Sequence, residues 1–162
     1  MHPEAFEWVR EHATLDTVSV LDIGGRDVNG SPRWLFPNAY IYTVLDIEPG
    51  EGVDIVVDAA TWEPDQGYDV VLSTECFEHA KAWRDIIDTA YRALNPRGRF
   101  IATMAGPGRP LHSGIDGGPE LHDGEWYENV DPADLQRTLE SVGFQQVHVD
   151  QWMTDVRCIA TK

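Results

Sequence analysis

Two short segments of the chain carry residue types that suit the binding of a nucleoside. The apolar run Ser19–Ile23 is followed by Gly24 and Gly25, and a second apolar run ends at Asp46. Glycines after a strand let the backbone approach a ligand, and an acid at the end of the next strand accepts hydrogen bonds from ribose hydroxyls. The pattern therefore predicts an adenosine-containing ligand at the open edge of an α/β sheet. Asp22, inside the first run, either orients this turn or touches the ligand itself.

A carboxylate and an imidazole follow the fourth apolar run of the chain. Glu75 and His79 are the best-placed residues for general acid–base work, because both side-chain types exchange protons near neutral pH when their surroundings are suitable. His79 could equally serve only to pack or cap the start of a helix. Cys76 lies between them and is expected to be a small buried residue rather than a nucleophile.

Further potential ligands lie in one long segment without periodicity, residues 105–130. It contains His112 and His122 together with several acids, among them Asp116, Glu120 and Asp123. Imidazole and carboxylate groups bind divalent metal ions. Their spacing here matches no compact metal motif, and histidines in loops are usually solvated, so we expect no metal site.

The elements that must position these residues alternate between strand and helix, which predicts an α/β fold. A helix is expected over residues 3–13, a one-turn helix between Pro32 and Pro37, and longer helices over residues 82–94 and from Pro132 to Gly143. The predicted strands cover residues 19–23, 40–46, 53–57, 68–73, 99–104, 146–149 and 156–160. We therefore predict a doubly wound, Rossmann-like sheet of about seven strands in a single domain, residues 1–162.

The segment 105–130 interrupts this alternation after the fifth predicted strand. Ligands bind at the carboxyl edge of open α/β sheets, which is where this segment must lie. A long loop of this kind is either functional or disordered. Trp126 and Tyr127 favour a functional loop, in which they wall an acceptor pocket or pack as a lid.

The charge and cysteine content narrow the class of partner. The chain has 28 acidic and 12 basic residues, for a net charge of −16, and its basic residues form no patch. Nucleic-acid affinity rests largely on Lys and Arg contacts, so a nucleic-acid substrate is disfavoured. Two cysteines cannot make a disulfide scaffold. The absence of a signal-like or membrane-length apolar run leads us to expect a cytoplasmic protein without a membrane partner.

Five segments in this order resemble the class I S-adenosylmethionine-dependent methyltransferases, particularly the small type 11 group. They are VLDIGGRDVNG, VLDIEPGEGVDIVVDA, YDVVLSTECFEHA, YRALNPRGRFIATMAG and DLQRTLESVGF. The resemblance covers nearly the whole chain from residue 19 onward. It implies S-adenosylmethionine as the cofactor and a seven-stranded sheet whose last strand is antiparallel.

The resemblance also assigns cofactor contacts to particular positions. Gly24 and Gly25 would pass under the methionine portion, and Asp46 would bind the ribose hydroxyls. Ile47 would lie beside the adenine, Asp58 would accept from the adenine amino group, and Ala59 would lie against the ring. Ser73 and Thr74 would line the sulfonium side.

Arg26 departs from the family pattern, because a glycine usually stands at its place in the turn. Its side chain could crowd the methionine end of the cofactor. It could instead form a charge-assisted contact with the cofactor carboxylate, which we favour.

The resemblance implies that the chain moves a methyl group from S-adenosylmethionine to a small molecule, a sugar or a side chain. A general base, Glu75 or His79, is needed only if the acceptor must lose a proton. The alternative is a cofactor-binding module without transferase activity that serves a partner. A nicotinamide dehydrogenase is disfavoured, because no G-x-G-x-x-G follows the first strand.

Overall fold

A computed structural model describes residues 2–162. The α-helices are α1 (Pro3–His12), α2 (Trp83–Ala93) and α3 (Pro132–Val142), and single 3-10 turns lie at Pro32–Leu35 and Phe77–His79. The strands are β1 (Ser19–Ile23), β2 (Ile41–Asp46), β3 (Ile55–Val56), β4 (Tyr68–Thr74), β5 (Leu94–Ala105), β6 (Gln145–Trp152) and β7 (Asp155–Thr161).

The seven strands form one sheet in the order β3-β2-β1-β4-β5-β7-β6. β7 runs antiparallel to both of its neighbours, β5 and β6, whereas the pairs from β3 to β5 are parallel. The predicted fold class is confirmed. The chain leaves β1 toward β2 on one side and later returns to β4 on the other side, so β1 and β4 flank a switch point where a crevice opens.

Helices cover both faces of the sheet. On one face the core contains Trp8 and Val9 of α1, which pack with Val20 of β1. On the other face α2 and α3 bury residues such as Ile87 and Leu139. All five residues of β1 are buried, as expected for a strand covered on both sides.

Local signals explain where the helices begin and end. The Asp131 carboxylate accepts hydrogen bonds from the backbone N–H groups of Ala133 and Asp134, at 2.9 and 3.0 Å, and thereby caps α3. Gly143 ends α3 in a left-handed conformation with φ 118°. Ser31 caps the Pro32–Leu35 turn by accepting from the Arg33 N–H group. The one-turn helix predicted there is confirmed as a 3-10 turn.

Three strands differ in length from the prediction by three residues or more, and each of these differences comes from pairing. β3 is an edge strand that pairs only through two residues, so it is shorter than residues 53–57. β5 begins at Leu94 rather than residue 99, because Leu94 already pairs with Tyr68 before a bulge that contains Arg97 at φ 69°. β6 extends to Trp152, because it forms a hairpin with β7.

No helix in residues 2–162 is both long and apolar enough to cross a membrane.

Candidate functional site

The Gly24–Gly25 turn connects β1 to the site and leaves no room for side chains. The N–H groups of both glycines donate to the Leu45 carbonyl, at 2.8 and 3.2 Å, which fixes the turn against β2. Gly24 has φ +73°, and a Cβ atom there would lie 2.5 Å from Cys76 Sγ. A Cβ on Gly25 would lie 2.6 Å from Asp22 Cγ. The bare backbone of this turn is therefore available to a ligand.

Asp46 ends β2 beside that turn. One oxygen of its carboxylate accepts from the Arg26 N–H group at 3.2 Å, and the other accepts from the Glu48 N–H group at 3.0 Å. A carboxylate has about four lone-pair sites, so two further hydrogen bonds can be accepted. The backbone bonds fix the orientation of the side chain and leave it able to bind a diol.

Asp22 lies behind the turn, fully buried and outside the cavity lining. Its Oδ2 accepts from the Tyr42 hydroxyl at 2.8 Å, and its Oδ1 has no partner. Burial and, to a smaller extent, the negative charge of Asp46 raise the pKa of Asp22 to about 7, against the opposing effect of the Tyr42 hydrogen bond. Asp22 therefore lies against the back of Gly25 and does not face the cavity.

A cavity of about 1100 Å³ opens at the carboxyl ends of β1, β2 and β4. Nearly all of the site residues predicted from the sequence line it. These are Gly24, Gly25, Arg26, Asp46, Ile47, Asp58, Ala59, Thr74, Glu75 and His79. Residues that are distant in the sequence therefore converge on one space.

Ser73 is the predicted site residue that does not line the cavity. Its side chain is 1% exposed, and its hydroxyl donates to the Ile23 carbonyl at 3.0 Å. The structure therefore corrects its placement on the sulfonium side, because the side chain points back to β1 and joins it to β4. Side-chain direction at the end of a strand cannot be read from apolar patterning alone.

The Arg26 side chain leaves the turn and contacts the long loop. Its guanidinium donates to the Gly114 carbonyl at 3.3 Å. Its aliphatic part packs on Gly50, where an added Cβ would lie 2.6 Å from Arg26 Cδ. The side chain thus lines the cavity without filling the turn beneath it. Arg26, which stands where the family usually has a glycine, therefore does not close this turn.

Glu75 follows β4 in a strained left-handed conformation, φ 54°. Its Oε1 accepts from the Thr103 hydroxyl at 3.0 Å, and its Oε2 forms ion pairs with His2 at 2.8 Å and Arg109 at 3.4 Å. Burial acts to raise the pKa of Glu75, but the His2 hydrogen bond and the positive charges of His2 and Arg109 outweigh it and lower the pKa. Glu75 is therefore held as an anion, which makes it a weak base.

His79 faces the cavity from the 3-10 turn after β4. Its ring packs against His112 and Tyr127, with ring centroids 4.9 and 5.4 Å away. Burial lowers the pKa of His79 to about 4, and the neighbouring His112 contributes to the decrease. The imidazole is therefore neutral at pH 7, and its Nδ1 has no hydrogen-bond partner.

Sequence reasoning missed three polar residues of the site, which are Glu78, His2 and Arg109. Glu78 is fully buried; its Oε1 accepts from the Ala105 N–H group at 3.0 Å, and its Oε2 has no partner. Burial raises the pKa of Glu78 to about 8, and repulsion from Glu75 adds to this. His2 and Arg109 meet Glu75 across long sequence separations. Of the missed residues, only Glu78 could have been found from the sequence, because it lies between the candidates Glu75 and His79.

The loop 105–130 walls the cavity and is held by its own polar contacts. Glu125 Oε1 accepts from the Ser113 hydroxyl and from the N–H groups of Gly114 and Ile115, at 2.8–3.2 Å. Lys81 lies 5.3 Å from the Trp126 ring centroid and ties the end of the loop to the turn before α2. The loop therefore forms one wall of the site.

Comparison with known proteins agrees with this geometry. Residues 3–149 match a family model described as a methyltransferase domain. No significant match was found among curated protein sequences.

Solved structures show the same fold at low sequence identity. The Burkholderia thailandensis 1,6-didemethyltoxoflavin-N1-methyltransferase, bound to 1,6-didemethyltoxoflavin and S-adenosylhomocysteine, superposes with a TM-score of 0.69 at 15% identity, over 99% of this chain and 77% of that one. DhpI in complex with S-adenosylhomocysteine gives 0.71 at 19% identity, over 98% and 82% of the two chains. An S-adenosylmethionine-dependent methyltransferase from Mesorhizobium loti gives 0.72 at 16% identity, over 97% and 98%. The fold and the family model together confirm the resemblance seen in the sequence: the chain belongs to the methyltransferase-domain family.

Proposed function

We propose that the chain binds S-adenosylmethionine in the cavity at the carboxyl ends of β1, β2 and β4, and transfers the methyl group to a small-molecule acceptor. The observation that carries this proposal is the convergence of the bare Gly24–Gly25 backbone and the Asp46 carboxylate on one cavity. Asp46 would accept from the ribose hydroxyls. Ile47 would lie beside the adenine and Asp58 would accept from the adenine amino group, since both residues line the same cavity.

The size and walls of the cavity support a small acceptor. Ligand pockets usually have volumes of about 300–1000 Å³, so a cavity of about 1100 Å³ has room for the cofactor and a second small molecule. The loop 105–130 encloses part of that space, which disfavours a bulky macromolecule. The net charge of −16 disfavours a nucleic acid for an independent reason. Two of the neighbouring structures hold S-adenosylhomocysteine, and one also holds a small heterocyclic acceptor.

The chemistry needs positioning more than proton transfer. Methyl transfer from a sulfonium is an in-line displacement: the acceptor atom forms a bond to the methyl carbon while the carbon–sulfur bond breaks. Holding the two reactants about 3–3.5 Å apart in line supplies much of the acceleration. Glu75 forms ion pairs with His2 and Arg109, and the pKa of His79 is lowered to about 4. Neither side chain is therefore a strong general base.

The proposed methyl transfer is tested by measuring turnover. The purified chain is incubated with S-adenosylmethionine and a panel of small hydroxyl, amine and carboxylate acceptors, and formation of S-adenosylhomocysteine is followed by mass spectrometry. We expect product above the acceptor-free background with at least one acceptor class, and little product with RNA or peptide. Tight product binding without turnover on any acceptor would contradict the proposal and favour a binding module that serves a partner.

A further inference from the structure

Three side chains with metal-binding atoms meet at the His79 end of the cavity. One ligand atom from each of Glu78, His79 and His112 lies within 4.8 Å of the other two. Glu78 and His79 come from the turn after β4, whereas His112 comes from the loop 105–130. The juxtaposition is created by the fold and has no counterpart in the spacing of the sequence.

Two of these side chains have an atom that lacks any partner. Glu78 Oε2 and His79 Nδ1 are buried and accept no hydrogen bond within residues 2–162. Buried polar atoms are almost always satisfied, so each such atom requires an explanation, of which an ion is one. The other oxygen of Glu78 accepts from the Ala105 N–H group at 3.0 Å, which holds the carboxylate in place. This backbone bond resembles the outer-shell contacts that orient metal ligands.

The histidine rings are packed into position. Tyr127 contacts both rings edge-on, with centroids 5.4 Å from His79 and 4.9 Å from His112. His112 Nδ1 lies 3.2 Å from the Pro110 carbonyl, which leaves its Nε2 available. Gly114 packs so closely on the His79 ring that a Cβ there would lie 3.0 Å from its Cγ.

We propose that Glu78, His79 and His112 bind a divalent first-row transition-metal ion at this end of the cavity. Two imidazoles and one carboxylate suit Zn²⁺, Mn²⁺, Fe²⁺ or Co²⁺, and three protein ligands leave further coordination positions open. Ligand atoms about 2.1 Å from one ion in tetrahedral geometry lie ~3.4 Å apart. Because the three atoms already lie within 4.8 Å of one another, the set closes in by at most about 1.4 Å when the ion binds. Rotation of the half-buried His112 side chain can supply that movement. This site replaces the expectation from the sequence that no metal is bound.

A bound ion would favour acceptors that carry a hydroxyl group. This inference about the acceptor rests on the proposed methyltransferase function. His79 and His112 line the same cavity as the Gly24–Gly25 turn, so open coordination positions face the acceptor space. A hydroxyl oxygen bound to the ion loses its proton to solvent more readily. That oxygen then forms a bond to the methyl carbon as the carbon–sulfur bond breaks. The products are the methyl ether and S-adenosylhomocysteine, and His79 acts as a ligand rather than as a base.

The test measures metal binding directly. Co²⁺ is titrated into the untagged, metal-free chain while visible absorption and calorimetry are recorded. We expect one Co²⁺ ion per chain with d–d bands typical of nitrogen and oxygen ligands. His112→Phe keeps a ring against Tyr127 but removes the ligand atom, and we expect its affinity for Co²⁺ to fall at least about tenfold. Glu78→Gln should have a similar effect, provided that its circular dichroism spectrum remains that of the wild type.

The matched control is His122→Phe. His122 lies in the same loop, pairs with Asp116 at the exposed surface, and is not part of the cluster. We expect its Co²⁺ affinity to equal that of the wild type. Absence of saturable Co²⁺ binding, or equal affinity in the His112→Phe and His122→Phe variants, would overturn the proposal. S-adenosylhomocysteine affinity is measured in the same proteins; if it stays intact while Co²⁺ binding is absent, only the metal site fails and the proposed function stands.

Discussion

Single residues at the Gly24–Gly25 turn are constrained by their neighbours more than by their own conformation. Gly24 faces Cys76 Sγ and Gly25 faces the Asp22 carboxyl, and at both positions a Cβ would lie well inside contact distance. The sequence could predict that backbone approaches a ligand here, because paired glycines after a strand have few other uses. It could not predict Ser73, whose hydroxyl bonds to Ile23, since that depends on the direction of one side chain.

Asp22 gives a prediction about pH. Burial, followed by the charge of Asp46, raises the pKa of Asp22 from 3.8 to about 7 in the folded protein. Between about pH 4 and 7 the folded chain therefore holds a proton that the unfolded chain has released. Stability contributed by this group is present at low pH and is lost as pH rises through that range. Asp22→Asn mimics the neutral carboxyl and should remove this dependence.

The check is urea unfolding of wild type and Asp22→Asn between about pH 4 and 8. The free energy of unfolding of the variant should rise relative to wild type by up to about 1.4 kcal/mol per pH unit. Asp65→Asn changes an exposed acid far from the cavity and should keep a constant difference. Parallel curves for Asp22→Asn and wild type would show that the Asp22 carboxyl is already ionised at low pH.

Among the elements, the strands and helices were predictable and the contacts of the long loop were not. Alternating apolar runs are local signals, so β1, β2, β4 and the amphipathic helix α2 were placed from the sequence. The loop 105–130 has no periodicity, and its key contacts join distant parts of the chain. His112 reaches His79, and Arg109 reaches Glu75 and Asp155. Contacts between residues so far apart in the chain depend on the folded topology, so no sequence pattern predicts them.

Glu125 is predicted to hold the loop in shape. Its two carboxylate oxygens accept from Ser113, Gly114, Ile115 and His122, so Glu125→Ala removes several bonds at once. Hydrogen exchange followed by mass spectrometry should show faster exchange of the Gly114, Ile115 and His122 amides, by about tenfold, which is about 1.4 kcal/mol of local opening. The global fold should persist, because the core lies elsewhere.

Glu120→Ala is the control for this experiment. Glu120 is an exposed acid in the same loop, and its replacement should leave the exchange of the Gly114, Ile115 and His122 amides unchanged. Equal exchange rates in Glu125→Ala and Glu120→Ala would show that the loop is held by something other than the Glu125 carboxylate.

At the scale of the whole molecule, the order of strands explains why the site forms where it does. The chain passes from β1 to β2 on one side and to β4 on the other, so the loops after these strands diverge and leave a crevice between them. The site residues lie at the carboxyl ends of those three strands: the Gly24–Gly25 turn after β1, Asp46 at the end of β2, and the segment 75–79 after β4. A chain with net charge −16 presents this crevice on a surface that repels phosphate backbones, in agreement with a small acceptor.

The central claim is that the Gly24–Gly25 turn and Asp46 hold one nucleoside. Isothermal titration calorimetry with S-adenosylhomocysteine on wild type, Asp46→Ala and the remote Asp65→Ala tests it most directly. We predict that Asp46→Ala weakens binding by about 1.5–3 kcal/mol, the usual contribution of a hydrogen bond to a charged group, while Asp65→Ala binds as wild type does. Equal affinity of the wild type and Asp46→Ala would contradict the account.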